Sequence, residues 1–141
     1  MKNVLIFCVI SLLSLSFIKT DNVIEVDIYS NETVIINGDR VNKFGVCDSV
    51  CTLLLNHNFL GKLHPRTERE MKRVVVSIYN ERSVSYDFYI AVNNEIEKAY
   101  SYAWNTLAQI NYNQEFKNLD TEKKREIKNK LPKVISEADA K

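Results

Sequence analysis

The stretch SYDFYIAVNNEIEKAYSYAWNTLAQI, residues 85–110, decides the architecture expected of this chain. Ser85 is placed to cap a helix at its N-terminus. Behind it, apolar side chains recur at steps of three and four, while the opposite side is polar and solvated. The apolar stripe consists of Tyr89, Val92, Ile96, Ala99, Ala103, Leu107 and Ile110. The spacing predicts one long amphipathic helix that buries a single face.

Two strands are predicted upstream of this helix. Over residues 23–29 apolar and acidic side chains alternate, which is the period-two pattern of a strand with one buried face. Residues 30–32 supply turn chemistry, and the β-branched run 33–36 follows. That run ends in Asn37 and Gly38, the pair best able to take positive φ. Together these residues predict a β-hairpin.

The remaining segments complete a small domain. Apolar positions at helical spacing predict a helix over residues 46–59, and the charged stretch 61–70 predicts a loop. The β-branched run 74–78 predicts a central strand covered on both faces. A further helix over 120–130 is expected, with an aspartate cap at its start and a proline behind it. Residues 133–141 are expected to be a polar tail.

This order of elements predicts an α+β fold, a small sheet with helices packed on one face. The domain spans residues 21–132, and the apolar N-terminal segment, residues 1–20, precedes it. Its uninterrupted run, residues 4–18, is long for a signal peptide and short for a membrane span, so cleavage and a short membrane anchor both stay open. Either alternative places the domain outside the cytoplasm.

The charge composition of the chain limits the class of partner that we expect. The chain has 141 residues and a formal net charge of +1, with lysines and carboxylates mixed along its length. Such a mixture creates no global field that would draw the protein onto nucleic acid. We therefore expect the partners to be proteins.

The cysteines of the mature chain are one helical turn apart. Cys47 and Cys51 form a candidate disulfide in an oxidising compartment, although two buried reduced thiols are the alternative. A zinc site would need two further ligands, and the only histidines in the sequence are His57 and His64. We expect no metal and no cofactor.

Catalytic chemistry finds little support in the sequence. Neither histidine lies in a recognisable nucleophile motif, and three glycines cannot build a phosphate-binding loop. Glu95 and Glu97 are two apart on a helix and point to different sides, which makes them poor acid and base partners. We expect no enzyme.

The aromatic residues offer a candidate partner surface. Tyrosines on the helical stripe are expected in the core, since tyrosine buries its ring and leaves its hydroxyl wet. Tyr102 and Trp104 lie off that stripe. They are the candidate partner contacts.

From residue 21 onward the chain resembles ExbD/TolR-type biopolymer transport proteins, in their Bacteroidetes form. The resemblance implies a periplasmic domain that pairs with a second copy and contacts TonB, beside a channel-forming ExbB partner in the inner membrane. The segments that carry the resemblance are Ile35–Gly38, Val74–Asn80, Ser85-Tyr86, Tyr89–Ile96, Ala99-Tyr100, Pro132 and Ile135–Ala138.

One departure from this family concerns proton coupling. Family members carry an aspartate in their membrane helix, where a costly acid is usually functional. Residues 4–18 of this chain contain no acid, so the resemblance assigns proton carriage to no residue here. The expectation is an ExbD-like component that acts by contact with ExbB-like, TonB-like or full-length ExbD proteins. An exported adaptor unrelated to proton-driven transport is the main alternative, and an exported enzyme ranks last.

Overall fold

The computed structural model describes residues 23–63 and 73–138. The predicted N-terminal signal or anchor, residues 1–20, lies outside the described residues, and so does most of the predicted loop 61–70. In chain order the elements are β1 (Val23–Ile28), β2 (Val34–Ile36), β3 (Asp39–Val41), a 3₁₀ turn (Lys43–Gly45), α1 (Val46–Leu63), β4 (Val75–Asn80), α2 (Tyr86–Tyr112), a second 3₁₀ turn (Phe116–Asn118), α3 (Thr121–Lys130) and β5 (Ile135–Ala138).

The five strands form one mixed sheet in the order β3-β2-β1-β4-β5. The antiparallel pair β1 and β2 confirms the predicted hairpin, with Val26 opposite Ile36. Strands β4 and β5 both run parallel to their inner neighbours, so helices connect them across the sheet. Strand β4 lies beside the middle strand, β1, and is hydrogen-bonded on both sides. Val75 and Tyr79 are only half-buried, so the predicted cover on both faces of this strand is wrong.

Two strands were not expected from the sequence. Asn37 and Gly38 both adopt positive φ, and the turn they form leads directly into β3 as a second hairpin. Residues 135–138 of the predicted polar tail form β5, where Ile135 pairs with Val76. The tail prediction is therefore corrected: an edge strand needs only one covered face, so its sequence can stay polar.

The helices pack on one face of the sheet, as predicted. Helix α2 supplies the apolar stripe from Val92 to Leu107, and α1 lies beside it. Ile110, predicted as part of this stripe, is 52% exposed, because the stripe extends past the core at that end of the helix. Helix α1 extends to Leu63, beyond the predicted end at residue 59. The core unites buried side chains from strands and helices alike: Ile24, Val26, Ile28, Val34, Ile36, Val46, Val50, Leu54, Val76, Ile78, Val92, Ile96, Ala99, Tyr100, Ala103, Leu107 and Ile127.

Candidate functional site

Strand β4, helix α2 and strand β5 form one connected unit through a shared carbonyl. The carbonyl oxygen of Val134 accepts the N–H of Val76 at 3.0 Å and the hydroxyl of Tyr100 at 3.3 Å. The ring of Tyr100 is fully buried, and burial raises the pKa of its phenol. A second phenol, Tyr89, donates to the carboxylate of Glu137 on β5. These contacts tie both strands to the helix that crosses them.

Trp104, predicted as a partner contact, makes contacts with other parts of the same chain. Its indole N–H donates to the carbonyl of Leu131 at 2.8 Å, just past the end of α3. Its ring stacks on Phe116 at 5.7 Å and lies 6.0 Å from Tyr100, with the Lys128 ammonium 5.2 Å away on the ring. Trp104 is half-buried and holds α2 and α3 together, and its role in partner contact stays a prediction.

Tyr102, the other predicted contact, lies on the solvent side of α2. Its side chain is 58% exposed. One turn earlier, Lys98 pairs with Glu95 at 2.5 Å, so the phenol stands beside a charged pair. Tyr86 and Ile110 are also exposed on this helix, but they lie at other angles around its axis. The role of Tyr102 in partner contact stays a prediction.

The two cysteines are free thiols in this structure. Cys47 is buried and Cys51 is half-buried, one turn apart on α1. Burial is the main cause that raises the pKa of both thiols. A raised pKa keeps a thiol protonated, and the thiol form is a poor nucleophile and metal ligand. The two thiols are unbridged in this structure, and the disulfide between Cys47 and Cys51 stays a prediction.

Both glutamates that the sequence analysis considered as acid and base partners are paired with lysines. Glu95 pairs with Lys98, and Glu97 pairs with Lys133 at 2.9 Å. Residue His57 lies on α1, whereas His64 lies outside the described residues. Over residues 23–63 and 73–138, no three His, Cys, Asp or Glu side chains are grouped so that they could hold a metal ion.

A cleft that the sequence did not indicate opens beside β3. This β3 cleft has a volume of about 420 Å³, and its walls are Glu32, Thr33, Arg40, Val41, Asn42, Lys43 and Phe44. The guanidinium of Arg40 donates to the buried Thr33 hydroxyl at 3.1 Å. The side chain of Asn42 accepts the N–H of Phe44 at 3.0 Å, which caps the 3₁₀ turn and leaves the phenyl ring 76% exposed.

The signals for this cleft were weak in the sequence. Phe44 is an aromatic residue within a polar loop, which by itself points equally to a core contact. Arg40 meets Thr33 only because β2 and β3 pair, and β3 is too short to stand out by periodicity. The cleft therefore depends on a strand pairing that local sequence does not announce.

No model of a known protein family matches the chain, and no curated protein matches it. None of the helices described here is both long enough and apolar enough to cross a bilayer.

Proposed function

We propose that this chain is an ExbD-like component of a TonB-dependent transport system, which acts in the periplasm through protein contacts and does not carry the proton. The observation that carries the proposal is the placement of the resembling segments. Val74–Asn80 forms β4 and its lead-in, Tyr89–Ile96 lies on α2, and Ile135–Ala138 is β5. Residues scattered through the sequence thus belong to one connected unit.

The surface of this unit agrees with a role in protein contact rather than in catalysis. Two salt bridges involve the polar side of α2: Glu95 pairs with Lys98 on the same helix, and Glu97 pairs with Lys133, which follows α3. Glu95 is half-buried, and the other three side chains are exposed. Tyr102 stands among them as an exposed aromatic side chain, a residue type enriched in the energetic centres of protein interfaces. A partner that covers this part of α2 would bury its ring.

Site-specific crosslinking in the native host tests the proposal. A photoreactive phenylalanine analogue at position 102 should capture ExbB, ExbD or TonB homologues, which mass spectrometry identifies. The matched control places the same group at position 86, where Tyr86 is 74% exposed near the start of α2. A known ExbD carrying the same group serves as the positive control.

Two results would contradict the proposal. Capture of unrelated proteins only, under conditions in which known ExbD captures its partners, would favour the exported adaptor. Receptor-dependent uptake that is unchanged after deletion of the gene would do the same.

A further inference from the structure

The β3 cleft carries an excess of positive charge. Arg40 and Lys43 both line it, and Glu32 is the single carboxylate on its walls. Within the described ranges, neither cation lies in a salt bridge. The guanidinium of Arg40 is oriented by a buried hydroxyl, that of Thr33 at 3.1 Å, so one cation is held in place before any ligand arrives. An anionic group fits this wall of the cleft.

The main chain beside these cations is also unpaired on one side. Strand β3 is an edge of the sheet. A two-residue turn with both φ angles positive joins it to β2, so Ile36 and Asp39 form the hydrogen-bonded pair next to the turn. The next pair, Ile35 with Arg40, is then not hydrogen-bonded, and the N–H and C=O of Arg40 point away from β2. These groups face the open edge.

An apolar group completes the cleft. The phenyl ring of Phe44 is 76% exposed, with the Lys43 ammonium 5.2 Å from its centre. A single exposed ring is ordinary on a protein surface. Here, however, the ring adjoins an oriented guanidinium and an open strand edge within one cleft of about 420 Å³.

We propose that the β3 cleft binds an extended acidic peptide segment of a partner protein. The peptide main chain would pair with the N–H and C=O of Arg40, its carboxylates would meet Arg40 and Lys43, and an apolar side chain would cover Phe44. A small anion such as phosphate would use only the charges and leave the strand edge and the ring unused. The inference deepens the proposed function, on which it rests for the existence of a protein partner.

Binding of synthetic peptides to the full-length chain tests the proposal. The probe is a fluorescein-labelled peptide, Thr-Glu-Val-Glu-Val-Thr, followed by fluorescence polarisation. We expect it to bind about tenfold more tightly than a peptide with glutamine in place of both glutamates. A third peptide, N-methylated at the central residues, cannot pair with a strand edge and should also bind about tenfold more weakly. Equal affinity for all three peptides would overturn the proposal.

Variants locate the binding on the protein. Lys43→Gln and Phe44→Ala alter the cleft, and each should weaken the acidic probe about fivefold or more while the thermal midpoint stays unchanged. Lys117→Gln removes a highly exposed lysine that does not line the cleft, so it is the matched control for charge. An equal loss of binding in the control would show general attraction to cations and overturn the proposal.

Two further outcomes assign the cleft to another ligand. Inorganic phosphate that binds as tightly as the acidic probe would make a small anion the ligand. Self-association of the protein that Lys43→Gln abolishes, measured by analytical ultracentrifugation, would make a second copy the occupant. Either result overturns the peptide proposal.

The same variants separate this inference from the proposed function. If a double variant, Lys43→Gln with Phe44→Ala, captures the transport homologues as well as the wild type does, the cleft proposal fails and the proposed function stands. If the wild-type chain binds the acidic probe but captures none of those homologues, the proposed function fails and only the peptide specificity of the cleft remains.

Discussion

At the scale of single residues, Asn37 shows how one side chain can specify two strand pairings. Its N–H donates to the carbonyl of Glu25 at 3.0 Å, and its side-chain oxygen accepts the N–H of Glu25 at 2.9 Å. Its φ of 51°, followed by 92° at Gly38, forms the turn into β3. Asparagine suits this position because its short polar side chain tolerates the left-handed conformation and bonds locally.

Tyr112 and Glu126 form a hydrogen-bonded pair that joins the end of α2 to α3. The phenol of Tyr112 donates to the Glu126 carboxylate, and this hydrogen bond is the main cause that raises the pKa of Tyr112 to about 12. Lys130, with Tyr112 as the second cause, lowers the pKa of Glu126. The phenol and the carboxylate are thus both favoured in the folded state.

These shifts predict how stability depends on pH. The Tyr112 contribution is complete below its unfolded pKa of about 10 and is lost as pH rises toward 12. The Glu126 contribution is present above its ordinary pKa of about 4.3 and is lost as pH falls through the lowered value. Tyr112→Phe should therefore flatten the fall of unfolding free energy above about pH 10, measured by chemical denaturation. Tyr102→Phe is the control, and an unaltered alkaline slope in Tyr112→Phe would refute the prediction.

At the scale of elements, α2 begins and ends at residues whose chemistry stops a helix. The side chain of Ser85 accepts the N–H of Phe88 at 3.3 Å, as the sequence predicted. At the other end, Asn113 adopts φ 52° and its N–H donates to the carbonyl of Gln109. Between these caps, tertiary burial of the apolar stripe stabilises the helix more than intrinsic propensity does.

Removal of the N-terminal cap should destabilise this element measurably. Ser85→Ala deletes the acceptor of the Phe88 N–H, and the expected loss is about 1 kcal/mol of unfolding free energy. Urea denaturation measures the loss, with Ser83→Ala as the control because Ser83 is exposed in the preceding turn. Equal stability of the two variants would show that the cap contributes nothing.

At the scale of the whole molecule, Trp104 connects parts of the chain that are far apart in sequence. It joins α2 to the second 3₁₀ turn through Phe116 and to the end of α3 through Leu131. Asn105 supports the same junction, because its side chain accepts the N–H of Phe116 at 2.9 Å. This region positions α3, after which the chain enters β5.

The contrast between two neighbouring aromatic residues tests this role. Trp104→Ala removes a stacked ring and a hydrogen bond, so we expect it to lower the unfolding free energy by about 3 kcal/mol. Tyr102→Ala removes an exposed ring and should change stability by less than about 0.5 kcal/mol. Thermal and urea unfolding of both variants provide the measurement. If the Tyr102 variant is as unstable as the Trp104 variant, the prediction that only Trp104 contributes to stability is wrong.

Much of the fold was predictable because its signals are local. Alternation predicted β1, three- and four-residue spacing predicted α2, and Ser85 and Asp120 both cap helices as expected. Of the two predicted partner contacts, Tyr102 is exposed, while Trp104 makes internal contacts. The sequence could not separate them, because both lie off the stripe and only the position of α3 gives one of them internal partners.

The sequence by itself determined the amphipathic helix over residues 85–110, its cap, the first hairpin and the α+β class, since periodicity and capping act within a few residues. Only the tertiary structure decided that residues 135–138 pair with β4, that Trp104 contacts the end of α3, and that Arg40, Lys43 and Phe44 surround one cleft. The physical reason is the distance along the sequence over which each interaction acts. Edge pairing and packing depend on neighbours brought together by folding, and no local pattern of a short polar strand reports which neighbour it will meet.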